Sequence, residues 1–319
     1  MNVLITGGAG YIGSSVAWLF IDKGHKVTII DNLIKGKKSN IPKKSKFINS
    51  DIADIKKLKK NINEKYDVVL HFAALIDNQE SILNKKMYLN NNFNKSKIFL
   101  DFCIEKGIKN FIFSSSAAVY GPSTKAVHES SKTNPLSPYG QSKLKFEKSL
   151  KKTKNNINYV ILRYFNVVGA EKKLRCGFET KKNKGLFNSL CKSYFGNINF
   201  HIFGKDFKTN DGTAIRDFIY IGDLSEIHYK FSKIINEQKI RQVVNCGYGK
   251  GYSVLDIVKK FNFILKKSIN FDFKNSRDDE INYSVANTKK LQKFYNLRAK
   301  KNILFTMINT TLKWYKKTN

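Results

Sequence analysis

Tyr139 and Lys143 stand four residues apart in the run Ser137-Pro138-Tyr139-Gly140-Gln141-Ser142-Lys143. On a helix that spacing stacks both side chains on one face. An ammonium beside a phenol favours the phenolate and draws an ordinary pKa of about 10 toward neutrality, as a general base requires. Upstream, an apolar run ends in Ser114-Ser115-Ser116-Ala117-Ala118-Val119-Tyr120-Gly121, where Ser116 is the candidate to hydrogen-bond the same substrate oxygen as Tyr139. A Tyr-x-x-x-Lys pair alone arises by chance in lysine-rich helices, and this chain has 15 tyrosines, so its weight depends on what surrounds it.

The surroundings begin at the N-terminus. Val3-Leu4-Ile5-Thr6-Gly7-Gly8-Ala9-Gly10-Tyr11-Ile12-Gly13 sets glycines three apart, directly after a strand-like run and at the start of a helical one. Gly7 allows the tight turn, Gly10 lets a pyrophosphate approach the backbone, and Gly13 lets the helix pack on the sheet. The helix N-terminus then offers N–H groups and the positive end of its dipole to the phosphates. Asp31 ends the second strand-like run 18 positions after Gly13, where an acid accepts the adenosine ribose hydroxyls. That favours NAD over NADP, with Lys35 and Lys37 leaving some tolerance for the latter. Asp51 and the group His71-Phe72-Ala73-Ala74 also follow strand-like runs, at the edge where doubly wound sheets bind ligands.

The elements that must carry these residues alternate. Short β-branched runs fall at Val3 to Thr6, Val27 to Ile30, Lys46 to Asn49, Val68 to Phe72, Asn110 to Ser114 and Tyr159 to Arg163. Helix-period segments lie near Ile12 to Asp22, Ile55 to Ile62, Lys85 to Lys106 and Tyr139 to Lys152. This predicts an α/β fold, a Rossmann-type doubly wound parallel sheet with a smaller C-terminal substrate domain. The expected boundaries are 1–166 for the NAD-binding domain, rejoined by parts of 213–247, and 167–319 for a discontinuous second domain. A helix over Asp223 to Glu237, a strand over Val243 to Cys246 and a terminal helix over Ile303 to Lys316, anchored by Trp314 and Tyr315, complete the reading.

Composition excludes more than it assigns. The formal charge of +33 comes from lysines scattered end to end among Asn and Ile, which reads as a solvated basic surface rather than a nucleic-acid groove. Such a surface would still draw in a diphosphate. Four cysteines form no Cys-x-x-Cys and sit at no metal-ligand spacing, so no metal site is expected. No stretch reaches the roughly 18 apolar residues of a membrane span, and the first residues enter a strand without a signal-peptide pattern. Cytoplasmic placement, no membrane and no nucleic acid are the resulting expectations.

The motifs TGGAGYIG, HFAA, SSSAAVYG, SPYGQSK, RYFNVVGA, IFGKDF, DGTAIRDFIYIGDL and NCGYGKGYSVLDIV appear in this order. Together they resemble the extended short-chain dehydrogenase/reductases, and within them the UDP-glucose 4-epimerases, nearly end to end. The resemblance implies an NAD-dependent epimerase acting through a transient 4-keto sugar. Relatives that eliminate water carry Asp-Glu after the strand-end Ser/Thr; Ala117 and Ala118 stand here. Cofactor contacts implied are Gly7, Gly10, Tyr11, Ile12, Gly13, Asp31, Asn32, Asp51, Ile52, Phe72, Ala73, Ala74, Asn91, Ser114, Tyr139, Lys143 and Tyr164. Implied substrate contacts are Ser116, Tyr139, Asn166, Leu186, Phe203, Arg216, Arg277, Glu280 and Ser284, with the two arginines clamping a diphosphate.

Departures from the family pattern are Ile76 in place of a common lysine, Gly185 before Leu186, and Asp279-Glu280 in place of Gly-Asp. Ser284 stands where members restricted to plain hexoses carry a bulky tyrosine, which leaves room for an N-acetyl group, so UDP-GlcNAc and UDP-GalNAc are expected alongside or instead of UDP-Glc and UDP-Gal. A homodimer through helices near 85–106 and 139–152 is also implied. A UDP-glucuronate 4-epimerase, another nucleotide-sugar oxidoreductase and a catalytically idle NAD-binding paralogue stay open as alternatives.

Overall fold

The structure is a computed structural model that describes residues 1–153, 157–181, 185–276, 281–297 and 302–319. Arg277 and Glu280, and with them Asp279, lie outside the described residues. The strands, in chain order, are β1 (Asn2–Thr6), β2 (Lys26–Asp31), β3 (Lys46–Asn49), β4 (Val68–His71), β5 (Asn110–Ser116), β6 (Asn158–Tyr164), β7 (Asn166–Val168), β8 (Phe200–Phe203), β9 (Ile215–Tyr220), β10 (Arg241–Cys246), β11 (Gly251–Ser253), β12 (Phe271–Lys274) and β13 (Tyr283–Ser284). The helices are α1 (Tyr11–Asp22), α2 (Ile55–Asn61), α3 (Asn78–Leu83), α4 (Lys85–Leu89), α5 (Lys95–Glu105), α6 (Pro138–Lys151), α7 (Leu186–Gly196), α8 (Ile221–Glu237), α9 (Val254–Leu265), α10 (Lys289–Phe294) and α11 (Ile303–Thr318).

The chain forms two compact units. The first comprises 1–119, 132–164 and 225–244, the second 120–131, 165–224 and 245–319. Residues 120–131 therefore cluster with the second unit, where the sequence reading had put them in the first. The segment that returns to the first unit is 225–244, which lies within 213–247.

The first unit is built on a seven-stranded sheet in the order β10-β6-β5-β4-β1-β2-β3. Strands β1 to β6 pair in parallel register, for example Thr6 with Ile30 and with His71, and Ser116 with Tyr164. From β1 the chain proceeds outward through β2 and β3, then returns to build β4, β5 and β6 on the other side. The strand C-termini flanking that reversal, Thr6 and His71, edge the crevice where such sheets take ligands. Leu4, Ile30, Val69, Phe99, Phe111, Phe113 and Phe146 are fully or almost fully buried in one apolar cluster. Strands covered on both faces read as continuous apolar runs, and this is why they could be read from sequence.

The helix expected over Lys85 to Lys106 is continuous from Lys85 to Glu105, running as α4, a π-helical turn at Asn90–Asn94, and α5. The extra residue in the turn accompanies the burial of Asn92, whose amide both donates to the Leu75 carbonyl and accepts from the Leu75 N–H, each at 2.8 Å. Single π turns inside α-helices are frequent at functional sites.

In the second unit β9 pairs with β7, β11 and β13, and a separate two-stranded sheet joins β8 to β12. The terminal helix α11 is held by Trp314, whose indole N–H donates to the Phe178 carbonyl at 2.8 Å while its ring lies over Gly177, close enough to leave no space for a side chain. Tyr315, expected as a second anchor, is only half-buried and stacks on Phe195 at 5.3 Å. Trp314→Ala is accordingly expected to destabilise the protein by about 3–5 kcal/mol, and a urea unfolding midpoint that does not move would show that α11 is held by other contacts.

Candidate active site

Gly7 has φ +69°, and a Cβ there would lie 2.6 Å from the Ala73 nitrogen. At Gly13 a Cβ would come within 2.3 Å of the Gly7 carbonyl oxygen. The turn is thus closed by backbone against backbone, and neither position admits another residue without moving β1, α1 or the strand end at 72–73. Gly10 is the N-cap of α1 and supplies no side-chain cap, which leaves the start of the helix open toward its N-terminal side.

Asp31, at the end of β2, is buried and binds this turn from the side: one carboxylate oxygen accepts from the Ala9 N–H at 3.0 Å and the other from Leu33 at 2.8 Å. Burial raises its pKa, opposed by those two amides. Asp51, after β3, accepts from Lys95 at 2.5 Å and from the Ala53 N–H at 2.9 Å; although desolvation opposes it, Lys95 with Ala53 and Asn32 holds the carboxyl below its usual range. Ile52 is buried, Asn32 half-buried, and the exposed Ile76 takes the place where a lysine was expected from the family pattern.

His71 is enclosed by Phe99, Phe111, Phe113 and Phe146, with ring centroids 5.5–5.9 Å away. Its Nδ1 pairs with Thr6 Oγ1 at 2.7 Å and its Nε2 with Ser96 Oγ at 2.9 Å. Burial, with a smaller contribution from Lys143, lowers its pKa to about 3. Phe72 packs on His228 at 4.9 Å, and the same His228 ring pairs through Nε2 with the Tyr164 hydroxyl at 2.5 Å. Ala73 and Ala74 follow Phe72 on the strand-end loop, with Ala73 over Gly7. Asn91, in the π turn, donates to Asn92 at 3.1 Å.

Helix α6 presents the catalytic candidates. Ser137 caps it, accepting from the Gly140 N–H at 3.1 Å, and Pro138 opens it, a position where its missing N–H costs nothing. A Cβ at Gly140 would fall 2.6 Å from the Ala118 carbonyl, so the helix lies directly against the segment that follows β5. That approach brings the Tyr139 phenol near Ser116, whose hydroxyl opposes the rise of the phenol's pKa and accepts from the Ala118 N–H at 3.2 Å. Lys143 is buried, donates to the Ser114 carbonyl at 2.8 Å and stands 5.8 Å from the centre of the Tyr139 ring.

The electrostatics correct one expectation. Burial pushes the Tyr139 phenol up to about 12, with Ser116 opposing, and lowers Lys143 to about 7, with Glu147 opposing. Lys143 does not bring the phenol toward neutrality in this arrangement, because desolvation disfavours both charged forms and the ammonium is directed at a carbonyl.

Of the substrate candidates, Arg216 and Ser284 face each other in the β9–β13 register, and Asn166 pairs with Phe218 two residues further along β9. Phe203 ends β8 in the other sheet of this unit, followed by Gly204 at φ +81°, and Leu186 opens α7. Sequence reasoning missed Asp217, beside Arg216. It is fully buried and accepts from the backbone of Tyr248, Gly249 and Ala286 at 3.0, 2.8 and 3.2 Å, with burial raising its pKa to about 6. It also missed Asn92, which donates to Ser142 Oγ at 3.2 Å and so ties the loop after β4 to α6. Neither announces itself by spacing, since each acts on backbone distant in sequence.

A sequence model of the NAD dependent epimerase/dehydratase family matches residues 3–247. The chain belongs to this family. It is 34% identical to a UDP-glucose 4-epimerase of Azospirillum brasilense over 98% of this chain and 91% of that one. A UDP-glucose-4-epimerase from Stenotrophomonas maltophila, solved with NAD and formylated UDP-arabinopyranose, superposes with a TM-score of 0.94 at 31% identity, over 99% and 98% of the two chains. The UDP-Glc/GlcNAc 4-epimerase of Campylobacter jejuni gives 0.85 at 32% identity over 99% of both. NAD is the cofactor of the family, and the turn closed at Gly7 and Gly13, with Gly10 open at the start of α1, fits its pyrophosphate. Among the described residues no helix is long and apolar enough to cross a membrane, and no three His, Cys, Asp or Glu residues are grouped to hold a metal.

The depressed His71 sets a pH dependence. An unfolded histidine binds its proton below about 6.5 while the buried one does not until about 3, so its contribution to stability is lost as pH falls between these values. The slope it adds is about 1.4 kcal/mol per pH unit. His71→Gln is expected to flatten the dependence of the urea midpoint on pH between 6.5 and 4 relative to wild type; parallel curves would refute this.

Proposed function

We propose that the chain interconverts the C4 epimers of a UDP-hexose through a 4-keto sugar. The close approach of α6 to the end of β5, which sets Tyr139 near Ser116 with Lys143 one helical turn on, together with a dinucleotide cradle in the same unit, carries this reading. Full-length similarity to 4-epimerases supports it. Ala117 and Ala118, directly after Ser116, leave no acid or base there to run an elimination.

NAD, when bound, supplies a hydride acceptor for C4 and a cationic nicotinamide ring. The glycine turn, Asp31 and Asp51 hold it. Tyr139 takes the proton of the sugar 4-hydroxyl and keeps it while the carbonyl exists; Ser116 Oγ donates to the same oxygen and fixes its position. A phenol near 12 is protonated at neutral pH, so the base becomes competent only when positive charge is brought beside it. Lys143, which alone does not lower the phenol, adds to that charge. For the opposite epimer to form, the keto sugar turns its other face, C4 recovers there the hydride it gave up, and Tyr139 returns the proton to the oxygen, so no net oxidation remains. Arg216, a forked and permanently charged donor, suits the diphosphate that stays fixed during the turn. Arg277 and Glu280 complete the proposed substrate contacts.

Ser284 beside Arg216 in register is small, which supports acceptance of a 2-N-acetyl group. With purified protein and a panel of UDP-glucose, UDP-N-acetylglucosamine, UDP-arabinose and UDP-glucuronate, epimerisation of the first two is expected. Tyr139→Phe should lower the rate by about 10²–10⁴-fold. A near-normal rate in this variant would remove Tyr139 from the mechanism, and turnover of the plain hexose alone would remove the N-acetyl assignment.

We further propose a homodimer through the helical face around α3 to α6. Leu83 is 85% exposed, and Met87 and Ile98 are also exposed apolar residues on α4 and α5. Leu83→Glu combined with Met87→Glu is expected to convert a sedimenting dimer to monomer; an unchanged sedimentation coefficient counts against this face.

A further inference from the structure

Glu147 lies one helical turn beyond Lys143 on α6, on the face that carries Tyr139, and has no exposure to solvent. A carboxylate without water must be matched by charge and hydrogen bonds. Arg163 of β6, itself buried, donates Nε to Oε1 at 2.9 Å and Nη2 to Oε2 at 2.6 Å in a two-pronged pair. The Ser115 hydroxyl donates to Oε1 at 2.5 Å. Lys151 approaches from the rim at 4.0 Å.

Ser115 is flanked by the two residues that serve the reaction from β5. The Ser114 carbonyl receives the Lys143 ammonium, and the Ser116 hydroxyl reaches Tyr139. The anchored carboxylate therefore holds the middle of a three-serine strand end whose outer members both meet α6.

We propose that Glu147 is a positioning residue of the reaction: clamped by Arg163 and Ser115, it fixes the 114–116 strand end against α6 and places its carboxylate behind Lys143. The inference rests on the reading of Tyr139, Ser116 and Lys143 as the catalytic group. The charged and titratable groups around Lys143 are Tyr139 and Glu147 on α6, His71 on β4, and, reaching it through Glu147, Arg163 on β6 and Lys151. His71 is neutral across the physiological range and Tyr139 is a neutral phenol, so Glu147 is the negative charge among them that favours the ammonium. Lys143 sits near 7, where a modest change of field decides whether it is charged.

The test uses the full chain labelled with ¹³Cε-lysine. The Lys143 resonance, identified by its absence in Lys143→Arg, is followed against pH without substrate. In Glu147→Gln its midpoint is expected to fall by about one pH unit or more. The alkaline limit of epimerisation should move the same way, with kcat lowered more than KM. Glu147→Asp, which keeps the charge on a shorter arm, is expected to lie between wild type and Glu147→Gln, and it takes over as the test variant if Glu147→Gln does not fold. An unmoved Lys143 midpoint in the folded variant, whatever its melting temperature, overturns the proposal and leaves Glu147 a purely structural ion pair. The titration needs no turnover. A chain that epimerises nothing would defeat the proposed function, while the midpoint would still report whether Glu147 governs Lys143.

Discussion

The close approach of α6 to the end of β5 is the constraint on which the site depends. It is enforced at Gly140, where the Ala118 carbonyl occupies the space of a side chain. A four-residue repeat then does the rest, because Tyr139, Lys143 and Glu147 recur along one stripe of the helix. A larger residue at 140 would lift the stripe away from the serines and separate three contacts at once. The glycine turn works the same way at the other edge of the crevice, with Gly7 and Gly13 allowing backbone to meet backbone. In both places it is the absence of a side chain that positions the chemistry.

The interior of this basic protein is electrically sparse. Among the described residues Lys143 and Arg163 are the buried Lys and Arg side chains, both arranged about Glu147. A net charge of +33 therefore says little about the site, which is governed by a few charges removed from water. Screening by salt would act strongly on the outer lysines and weakly on this inner group.

Much of the first unit could be read from sequence because its strands are buried on both faces and its helices long enough to show a period. The catalytic pair could be read because its geometry is local: four residues on one helix need no tertiary information. The second unit resisted, since β7, β11 and β13 are two or three residues long and carry no periodicity. Asp217, Asn92 and Gly140 were missed for a related reason. Each serves backbone distant along the chain, and nothing near it in sequence marks the partner. The pKa expectation for Tyr139 failed because spacing shows which charges are neighbours and not how much water they have lost.

Asp31 ties cofactor preference to the integrity of the turn. A carboxylate offers about four lone-pair sites, and each of this one's two oxygens already accepts from an amide, Oδ2 from Ala9 and Oδ1 from Leu33, with Leu33 in a left-handed conformation at φ 62°. With Asp31 proposed to recognise the ribose, that recognition and the construction of the phosphate cradle would fall to one group. Redesign toward a phosphorylated dinucleotide cannot proceed by reversing charge at this residue alone, since removing the acid would also unfasten the loop that binds what both cofactors share. Selectivity here is a by-product of architecture, and is hard to exchange for that reason.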